Sequence, residues 1–299
     1  MTLPRTTTDL ADAELRGAVL CIGNFDGVHL GHRMLLTRMR ALAEALHRPA
    51  AVITFFPPAR VLFEGSTYLM TPEEKLLVLA EFKPSVVVNL TFDKAFAATR
   101  KEVWLGELAA LEPAAIVVGE DFRFGNARRG DVTDLRAITN HLDAFTLLEV
   151  DGAPVKSSRI RALLAEGDAA GAAHLLGEPY LVRGTVLRGQ QRGRSIGYPT
   201  ANLAVAPGKA LPSGVFAVRV TVGIETFGGM ANVGARPTFA EEPPALEVHL
   251  FDFNGDLYGS TIDVRFVERL RGQVRFAGID ELRAQLAADE VAARRLLAV

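Results

Sequence analysis

The fold of the first half of the chain is decided by the stretch Cys21-Ile22-Gly23-Asn24-Phe25-Asp26-Gly27-Val28-His29-Leu30-Gly31-His32. An apolar run ends at Gly23 and a helical pattern begins near Gly31 or His32, which predicts a buried strand, a tight turn and a helix. Such a turn at the carboxyl edge of a parallel sheet is where α/β proteins bind ligands. The free N–H groups and the positive dipole end of the new helix favour an anion there. The stretch therefore predicts a phosphate-binding turn.

The two histidines of this stretch are expected to contact the phosphate. His29 and His32 lie three residues apart, so both can face an anion from the first helical turn. Imidazoles there can donate hydrogen bonds to phosphate oxygens and stabilise charge that grows in a transition state. The alternative is a set of ordinary turn glycines with two structural histidines. The stretch is neither a P-loop nor a dinucleotide fingerprint, because the Gly-Lys-Ser/Thr sequence and the G-x-G-x-x-G spacing are absent.

Short apolar runs alternate with helical patterns through the rest of the first half. The predicted strands are Ala18–Ile22, Ala51–Phe55, Val86–Leu90, Ala115–Val118 and Thr146–Val150. Their continuous apolar character is typical of parallel strands that are buried on both faces. Helices are predicted from the apolar stripe of Leu35, Met39, Leu42 and Leu46, and from the capping box Thr71-Pro72-Glu73-Glu74. The first half is therefore predicted to be a three-layer, Rossmann-like α/β domain.

The pattern changes after about residue 180, where short runs rich in Val, Phe, Tyr and Thr follow one another without helices between them. The predicted strands are Tyr180–Leu187, Val215–Val222, Glu225–Asn232, Leu246–Phe251 and Thr261–Val267. This succession favours an antiparallel sheet closed into a barrel or sandwich. An Ala- and Leu-rich stretch, Ile279 to Leu297, predicts a terminal helix. The composition shift near Gly177-Glu178-Pro179 divides the chain into predicted domains 1–178 and 179–299.

Composition excludes several classes of protein. The 299 residues suffice for two cores, and 49% of them are hydrophobic. The net charge of −2 argues against generic nucleic-acid binding. The single cysteine, Cys21, rules out a disulfide framework and a cysteine-based zinc site. Neither a secretory signal nor a membrane span is recognisable, so we expect a cytoplasmic protein, a monomer or weak homo-oligomer, with small-molecule substrates.

Two further segments of the first half are candidates for ligand contacts. In Lys156-Ser157-Ser158-Arg159-Ile160-Arg161, Ser157 or Ser158 can cap the next helix, and Arg161 can meet phosphates bound at the first helix. The alternative is a capped surface helix with a solvated arginine. In Gly119-Glu120-Asp121-Phe122-Arg123-Phe124-Gly125, which follows the fourth predicted strand, Phe122 and Phe124 could flank a planar ring. Core packing of the two rings is the alternative.

These residues resemble the bacterial bifunctional riboflavin kinase/FAD synthetase family. Its N-terminal module resembles nucleotidyltransferases that carry an H-x-G-H motif, here His29-Leu30-Gly31-His32. A Ser-Ser-Thr-x-x-Arg segment of that group is matched in part if Arg161 is the motif arginine. Ser158 then takes the place of Thr, and Lys156 departs from the pattern at the first Ser, which puts triphosphate affinity in doubt. The family's Gly-x-Asp-Phe-x-Phe-Gly segment is matched at Gly119, Asp121, Phe122, Phe124 and Gly125.

The second half resembles the flavokinase module of the same family, so that the resemblance extends from about residue 17 to 290. The matching segments are Gly193-Arg194, Gly197, Pro199-Thr200-Ala201-Asn202, Gly214-Val215-Phe216, Asn232-Val233-Gly234, Arg236-Pro237-Thr238-Phe239, Glu247-Val248-His249 and Asp256-Leu257-Tyr258-Gly259. Similar proteins carry an acid near the place of Gln273, so this chain departs from them there. The resemblance implies phosphorylation of riboflavin to FMN by ATP in the second domain. It also implies adenylylation of FMN to FAD, with release of pyrophosphate, in the first.

The chemistry of a kinase gives roles to residues of the second half. Thr200 and Asn202 lie two apart, so on an extended strand their oxygens face the same side and could serve Mg²⁺ and phosphates together. Glycines at 189, 193 and 197 would let a loop close over the phosphates. Glu247 lies in an alternating strand and is predicted to accept the proton of the attacking hydroxyl. The alternative is a turn at Thr200-Ala201-Asn202 with an exposed Glu247. His249 is expected to be a neighbour rather than a catalyst.

Adenylyl transfer to FMN requires no such base, because the nucleophile is a phosphate oxygen that is already anionic. The expected catalytic residues are His29, His32, Arg161 and Glu247. The residues expected to bind ATP, riboflavin, FMN or FAD are Gly23, Asn24, Phe25, Asp26, Gly27, Gly31, Asp121, Phe122, Phe124, Ser157, Ser158, Gly189, Gly193, Arg194, Gly197, Pro199, Thr200 and Asn202. Two other functions remain open: an adenylyltransferase for another phosphate acceptor with an accessory barrel, and a flavin-binding regulator that has lost one activity.

Overall fold

The computed structural model describes residues 2–188, 196–234 and 245–299. The chain divides into two compact units, residues 1–157 and 158–299. This division lies N-terminal to the boundary predicted from composition. Residues 158–178, which contain most of one helix and all of a second helix, belong to the same unit as the C-terminal strands. No helix in the described parts of the chain is long and apolar enough to cross a membrane.

The first unit is built on a parallel sheet. Its strands are β1 (Arg5–Thr7), β2 (Val19–Ile22), β3 (Ala50–Phe56), β4 (Val86–Thr91), β5 (Ala115–Gly119) and β6 (Leu142–Phe145), in the spatial order β1-β4-β3-β2-β5-β6. A short hairpin, β7 (Glu149–Val150) and β8 (Ala153–Pro154), follows. All neighbours in the large sheet run parallel. The sheet therefore has the order of a doubly wound domain, as predicted.

Helices cover both faces of this sheet. They are α1 (Leu30–Leu46), α2 (Ala59–Glu64), α3 (Pro72–Leu79), α4 (Lys94–Ala97), α5 (Lys101–Ala110) and α6 (Val132–Leu135). One core contains side chains of α1 and α3, and the other contains Trp104 and Leu108 of α5. The predicted capping box is confirmed, because the Thr71 hydroxyl accepts from the Glu74 N–H and the Glu74 carboxylate accepts from the Thr71 N–H. The three-layer architecture predicted from the alternation of strands and helices is thus present.

One predicted strand of this unit is wrong. Residues 146–148 lie outside strands, and Glu149–Val150 pairs antiparallel with β8 instead of joining the sheet. The place next to β5 is taken by Leu142–Phe145, whose four residues are all half-buried. An edge strand has a neighbouring strand on one side only and is partly open to solvent, so it tolerates a charged residue such as Asp143. This charge interrupts the apolar run by which buried strands were predicted. The strand β1 was missed for the same reason, since Arg5–Thr7 is polar and lies at the other edge.

The second unit is a closed antiparallel barrel. Its helices α7 (Ser157–Glu166) and α8 (Ala169–Leu176) precede strands β9 (Tyr180–Leu187), β10 (Ala201–Ala204), β11 (Gly214–Val222), β12 (Glu225–Gly234), β13 (Ala245–Leu250) and β14 (Thr261–Arg271). The barrel closes in the order β10-β13-β12-β11-β14-β9. The five strands predicted in this half are confirmed, whereas β10, too short to show a period, was absent from the predicted strands.

The terminal helix α9 (Ile279–Leu297) lies where the sequence predicts it. Its residues Ala293 and Leu297 are buried with Ala217, Met230 and Phe251 of the barrel. The Arg271 guanidinium donates to the carboxylate of Asp289, a buried residue of the helix, at 2.9 Å. This pair holds the end of β14 against α9.

Candidate active sites

The turn between β2 and α1 has a strained backbone. Phe25, Gly27 and Val28 have φ angles of 46°, 91° and 42°. Positive φ is a genuine outlier for a β-branched residue such as Val28, and each such residue costs on the order of 1–3 kcal/mol. Phe25 and Val28 are fully buried, so packing of their side chains holds the backbone in this shape. Strain of this kind is often found where a protein prepares a ligand site.

Groups from distant parts of the first unit hold the turn in place by hydrogen bonds. The buried Asp26 carboxylate accepts from the backbone N–H groups of Leu69 and Met70 at 2.7 and 3.3 Å. The carbonyl of Asp26 accepts from the Ser157 hydroxyl at 2.8 Å. Asp26 therefore ties the turn to remote parts of the chain, whereas the neighbouring Asn24 is exposed. Ser157 is the first residue of α7, so the helix begins at the predicted pair of serines, and the capping role of Ser157 or Ser158 stays a prediction.

The two histidines stack at the start of α1. His29 is the N-cap residue, and its Nδ1 accepts from the His32 backbone N–H at 3.4 Å. The two rings lie 3.6 Å apart with an interplanar angle of 14°. A Cβ at Gly31 would lie 3.3 Å from the His29 ring, so a residue without a side chain lets this ring fold over the helix. The sequence prediction that both imidazoles belong to the first helical turn agrees with this geometry.

Both imidazoles are neutral at neutral pH. Burial lowers the pKa of His29 to about 4. Burial, with smaller contributions from His29 and Lys75, lowers the pKa of His32 well below its ordinary value. Because Nδ1 of His29 accepts a hydrogen bond, this contact assigns the ring proton to Nε2. Nδ1 of His32 is buried and has no hydrogen-bond partner among the described residues. Neutral imidazoles of this kind can donate to a phosphate oxygen without gaining or losing a proton.

Lys75 is a functional candidate that the sequence analysis missed. It lies on α3, is 2% exposed, and its ammonium reaches the carbonyl of Asn24 at the start of the turn, 2.8 Å away. The available signal was a lysine in the same helical stripe as the buried residues Val78 and Leu79. A charged residue on a buried face requires a reason, and this one donates to a carbonyl of the turn that is predicted to bind phosphate.

The segment after β5 favours the packing alternative. Phe124 is buried 5.1 Å from the Trp104 ring, and the half-buried Phe122 lies 6.2 Å from the same ring. Asp121 is exposed in the turn that links Gly119 to Phe122. The aromatic residues of this segment therefore belong mainly to the core, and Asp121 is the exposed member of the predicted contacts in this segment.

Ser158 and Arg161 belong to the second compact unit, although they lie on the helix that begins with Ser157. Ser158 is exposed, and Arg161 is half-buried. The approach of Arg161 to phosphates at α1 stays a prediction.

A row of polar side chains crosses three neighbouring strands of the barrel. Asn202 of β10 pairs directly with Glu247 of β13, and Glu247 pairs directly with Asn232 of β12. All three are half-buried and alternate with buried residues such as Leu203 and Val248. They therefore point to the outer face of the barrel wall. Directly paired residues have Cβ atoms about 4.5–5.5 Å apart, so Glu247 is within reach of the amide on either side of it.

Gln273 extends this row beyond Asn232. Its Nε2 donates to the Asn232 Oδ1 and to the Val233 carbonyl, both at 2.9 Å. The Asn232 amide is thereby held with its N–H₂ group on the side away from Gln273. The amide at position 273 thus acts as a hydrogen-bond donor to two acceptors, which a carboxylate in its place could not do.

A cleft of about 570 Å³ lies beside the row, at the end of β13 and next to α9. Its aromatic lining includes Tyr198, His249 and Phe251. The His249 ring shares a hydrogen bond of 2.8 Å with the Pro199 carbonyl, which supports its role as a neighbour. Arg294, within 3 Å of both Asp252 and Glu290, closes the far end of the cleft.

The remaining residues of the predicted kinase site are placed in part. Gly197 and Pro199 are exposed, and Thr200 is half-buried immediately before β10. Gly189, Gly193, Arg194 and the segment Arg236-Pro237-Thr238-Phe239 lie outside the described residues. In the described ranges, no group of three or more His, Cys, Asp or Glu side chains could hold a metal ion. Mg²⁺ needs no such group, because it binds proteins through one or two oxygens and completes its shell with water and phosphates.

Comparison with known proteins identifies the family. A family model described as FAD synthetase matches residues 11–162, and one described as riboflavin kinase matches residues 176–297. A bifunctional riboflavin kinase/FMN adenylyltransferase of Escherichia coli K12 is 38% identical over 98% of this chain and 97% of its own length. This chain belongs to that family. It is a bifunctional transferase with a flavokinase region in its C-terminal part and an FAD synthetase region in its N-terminal part, as predicted, and its substrates are ATP and flavins.

Other relatives have the same description, and a solved structure has a similar fold. Proteins with the same description from Haemophilus influenzae and Bacillus subtilis are 36% and 34% identical over 93% and 96% of this chain, and over 94% of each relative. A solved structure described as a macrolide-efflux protein from Streptococcus pneumoniae is 30% identical, with a TM-score of 0.87 over 98% of this chain and 99% of its own. That comparison supports the fold. The match to both regions confirms the predicted bifunctional enzyme over the two alternative functions.

Proposed function

We propose that the two reactions use the two sites described above. Riboflavin is phosphorylated on the outer face of β10, β13 and β12, and FMN is adenylylated at the turn between β2 and α1. The observation that carries the first assignment is the direct cross-strand pairing of Asn202 with Glu247. The second assignment is supported by two stacked, neutral imidazoles at the start of a 17-residue helix.

In the kinase reaction, Glu247 accepts the proton of the terminal ribityl hydroxyl as its oxygen attacks the γ-phosphorus of ATP. The bond to the β-phosphate oxygen breaks, and ADP leaves. Thr200 and Asn202 have the hard oxygens that Mg²⁺ prefers and would hold it with the phosphates. Bound Mg²⁺ would neutralise phosphate charge during the transfer. Because Asn202 and Glu247 are neighbours, the phosphates and the acceptor hydroxyl meet at adjacent strands.

The cleft beside Pro199 is a suitable place for the adenine of this ATP. It adjoins Thr200, where the phosphates are proposed to bind, and the rings of Tyr198 and His249 offer apolar faces to a planar group. The Asn232 and Gln273 amides, on the other side of Glu247, are then left for the ribityl chain of riboflavin.

In the second reaction, a phosphate oxygen of FMN attacks the α-phosphorus of ATP, and pyrophosphate leaves. The nucleophile is already anionic, so the site needs positioning and charge stabilisation rather than a base. His29 and His32 supply neutral N–H donors, and the first turn of α1 supplies backbone N–H groups.

Substitution of Asn202 by leucine tests the kinase assignment. The variant keeps the size of the side chain but removes the oxygen proposed to face Mg²⁺, so FMN formation is expected to fall by about 10²-fold and to require more Mg²⁺. Incubation with riboflavin, ATP and a series of Mg²⁺ concentrations, followed by separation of the flavins, measures this. FAD formation from supplied FMN is the internal control, and removal of Mg²⁺ with a chelator should stop both reactions of the parent protein. An unchanged Mg²⁺ requirement for FMN formation would remove Asn202 from the metal site.

Two fragments test the domain boundary. We propose that residues 179–299 hold the whole kinase machinery and that α8 stabilises it, because Leu175 and Leu176 are about 1% exposed within the second unit. Fragments 158–299 and 179–299 should both convert riboflavin to FMN. The longer fragment should be more stable to urea by roughly 2–5 kcal/mol, the burial of two leucines. A folded but inactive longer fragment would contradict the separability of the kinase.

Two expectations from the sequence stay predictions. They are a cytoplasmic location and a monomer or weak homo-oligomer that binds small molecules and no nucleic acid. The net charge of −2 supports the last of these. Sedimentation of the purified protein and fractionation of cells would test them.

A further inference from the structure

Lys75 connects three parts of the first unit through one buried ammonium group. Nζ donates to the Asn24 carbonyl at 2.8 Å, to the Thr54 hydroxyl at 2.9 Å and to the Phe55 carbonyl at 3.1 Å. The Thr54 hydroxyl in turn donates to the same Asn24 carbonyl at 3.0 Å. The first carbonyl of the strained turn is therefore held by two donors, and all three ammonium protons are used.

We infer that Lys75 is a positioning residue of the adenylyl-transfer site, which fixes the start of the phosphate-binding turn and places a positive charge beneath it. This inference rests on the proposed assignment of the turn to the adenylylation of FMN. A lysine that served packing alone would be replaced by an apolar residue at lower cost, because burial of an ammonium group is unfavourable. Its three acceptors are uncharged oxygens, so its charge is not cancelled by a directly bonded carboxylate.

The charges that face Lys75 from the surrounding elements favour an anion in the turn. Asp26 of the turn is the carboxylate whose charge acts on Lys75, while Glu74 of α3 accepts the Thr71 N–H in the capping box. At the start of α1, His29 and His32 are neutral. Burial and nearby carboxylates raise the pKa of Tyr68, which lies before α3, to about 12, so this side chain is neutral as well. The negative groups of ATP and FMN would therefore meet the positive end of α1 with Lys75 behind it.

The bonds of Lys75 and its charge can be tested separately. Burial lowers the pKa of Lys75 to about 8, and the Asp26 carboxylate opposes this shift. A neutral amine has two N–H donors and can still donate to the carbonyls of Asn24 and Phe55, while the Thr54 hydroxyl keeps its own bond to the Asn24 carbonyl. A rise in pH therefore removes the charge and the bond to Thr54 but leaves both donors to the Asn24 carbonyl in place. Substitution by methionine removes the charge and the bonds together but keeps an unbranched side chain.

The experiment measures both reactions of the full-length protein for the parent and for Lys75→Met. The control is Lys83→Met, which removes an exposed lysine that lies just before β4. We expect Lys75→Met to lower kcat/KM for FAD formation by about 10²-fold, since a small misplacement of reacting groups has an effect of that size. FMN formation, and both reactions of Lys83→Met, should stay at the parent level. FAD formation by the parent should decline as the pH rises through about 8, and this decline should be absent from the residual activity of Lys75→Met.

A second variant keeps the inference testable if Lys75→Met leaves the first unit unfolded. Asp26→Asn retains the acceptor for the Leu69 and Met70 N–H groups but removes the charge that raises the pKa of Lys75. The alkaline decline of FAD formation should then move to lower pH. A folded Lys75→Met protein with parent FAD formation, or a decline that neither variant alters, would overturn the inference. If His29→Ala abolishes FAD formation while Lys75→Met does not, only the role of Lys75 fails; if neither does, the proposed site itself fails.

Discussion

Substitution of His29 by alanine is expected to abolish FAD formation by the full-length protein while FMN formation stays near normal. The substitution removes the N-cap ring and the stacking partner of His32. On the proposed assignment it also removes an N–H donor to the phosphates. Loss of one preorganised donor of this kind typically lowers kcat by about 10²–10³-fold, and the loss of the cap adds to this. The effect should be confined to FAD, because His29 lies in the first unit and the kinase residues lie in the second.

The assay supplies riboflavin and ATP in one set of reactions and FMN and ATP in another, and separates the flavins. His141→Ala is the matched control, because it removes a half-exposed histidine of the same unit whose side-chain contact is to Asp143. Since the pKa of His29 is about 4, protonation of this ring should not limit FAD formation near the ordinary pKa of histidine. Full FAD synthesis by His29→Ala would remove the phosphate-binding turn from the chemistry.

The parts of the fold that the sequence predicts are those with a regular local pattern. Tyr180–Leu187 and the terminal helix Ile279–Leu297 were predicted with the boundaries that the structure has. Each has a period, of two or of 3.6 residues, that one face of the element imposes on the sequence. In edge strands the alternation of buried and exposed residues is weaker. Leu142–Phe145 has no fully buried face, so its sequence resembles a loop, and the apolar run beyond it was mistaken for the strand.

The parts of the sites that the sequence predicts are those on one continuous segment. The glycines and histidines between Gly23 and His32 lie on one turn, and their spacing is enough to predict a phosphate site. The supports of that turn are remote. Lys75 lies 51 residues from Asn24, and Ser157 lies 131 residues from Asp26, so only the folded chain shows these contacts. A single sequence contains no signal for such pairs.

The barrel site shows the same limit in another form. Glu247 and Asn202 were singled out separately, but their pairing depends on the register of β10 with β13, which a single sequence does not specify. Gln273 was noticed only as a departure from the family pattern. Its two hydrogen bonds give that departure a physical meaning, because an amide there donates to the Asn232 side chain and to the Val233 carbonyl, which an ionised acid could not do.

Substitution of Glu247 by glutamine is expected to lower the rate of FMN formation by about two to four powers of ten. Glutamine keeps the size of the side chain and a hydrogen-bonding group but cannot accept the hydroxyl proton. Riboflavin binding should change little, so the loss should fall on kcat rather than on KM. The measurement is FMN production under saturating ATP, with riboflavin binding followed by flavin fluorescence. Glu225→Gln, at an exposed end of β12 in the same unit, is the matched control.

The position of Glu247 makes the result decisive for the mechanism of the barrel. It is the carboxylate in a row whose other members, Asn202, Asn232 and Gln273, are amides, so none of these neighbours can replace it as a base. FAD formation from supplied FMN should be unaffected in the same variant, which separates loss of the base from loss of the fold. A Glu247→Gln protein within about threefold of the parent rate would show that proton removal contributes little to the barrier, and phosphate positioning would then have to supply the catalysis.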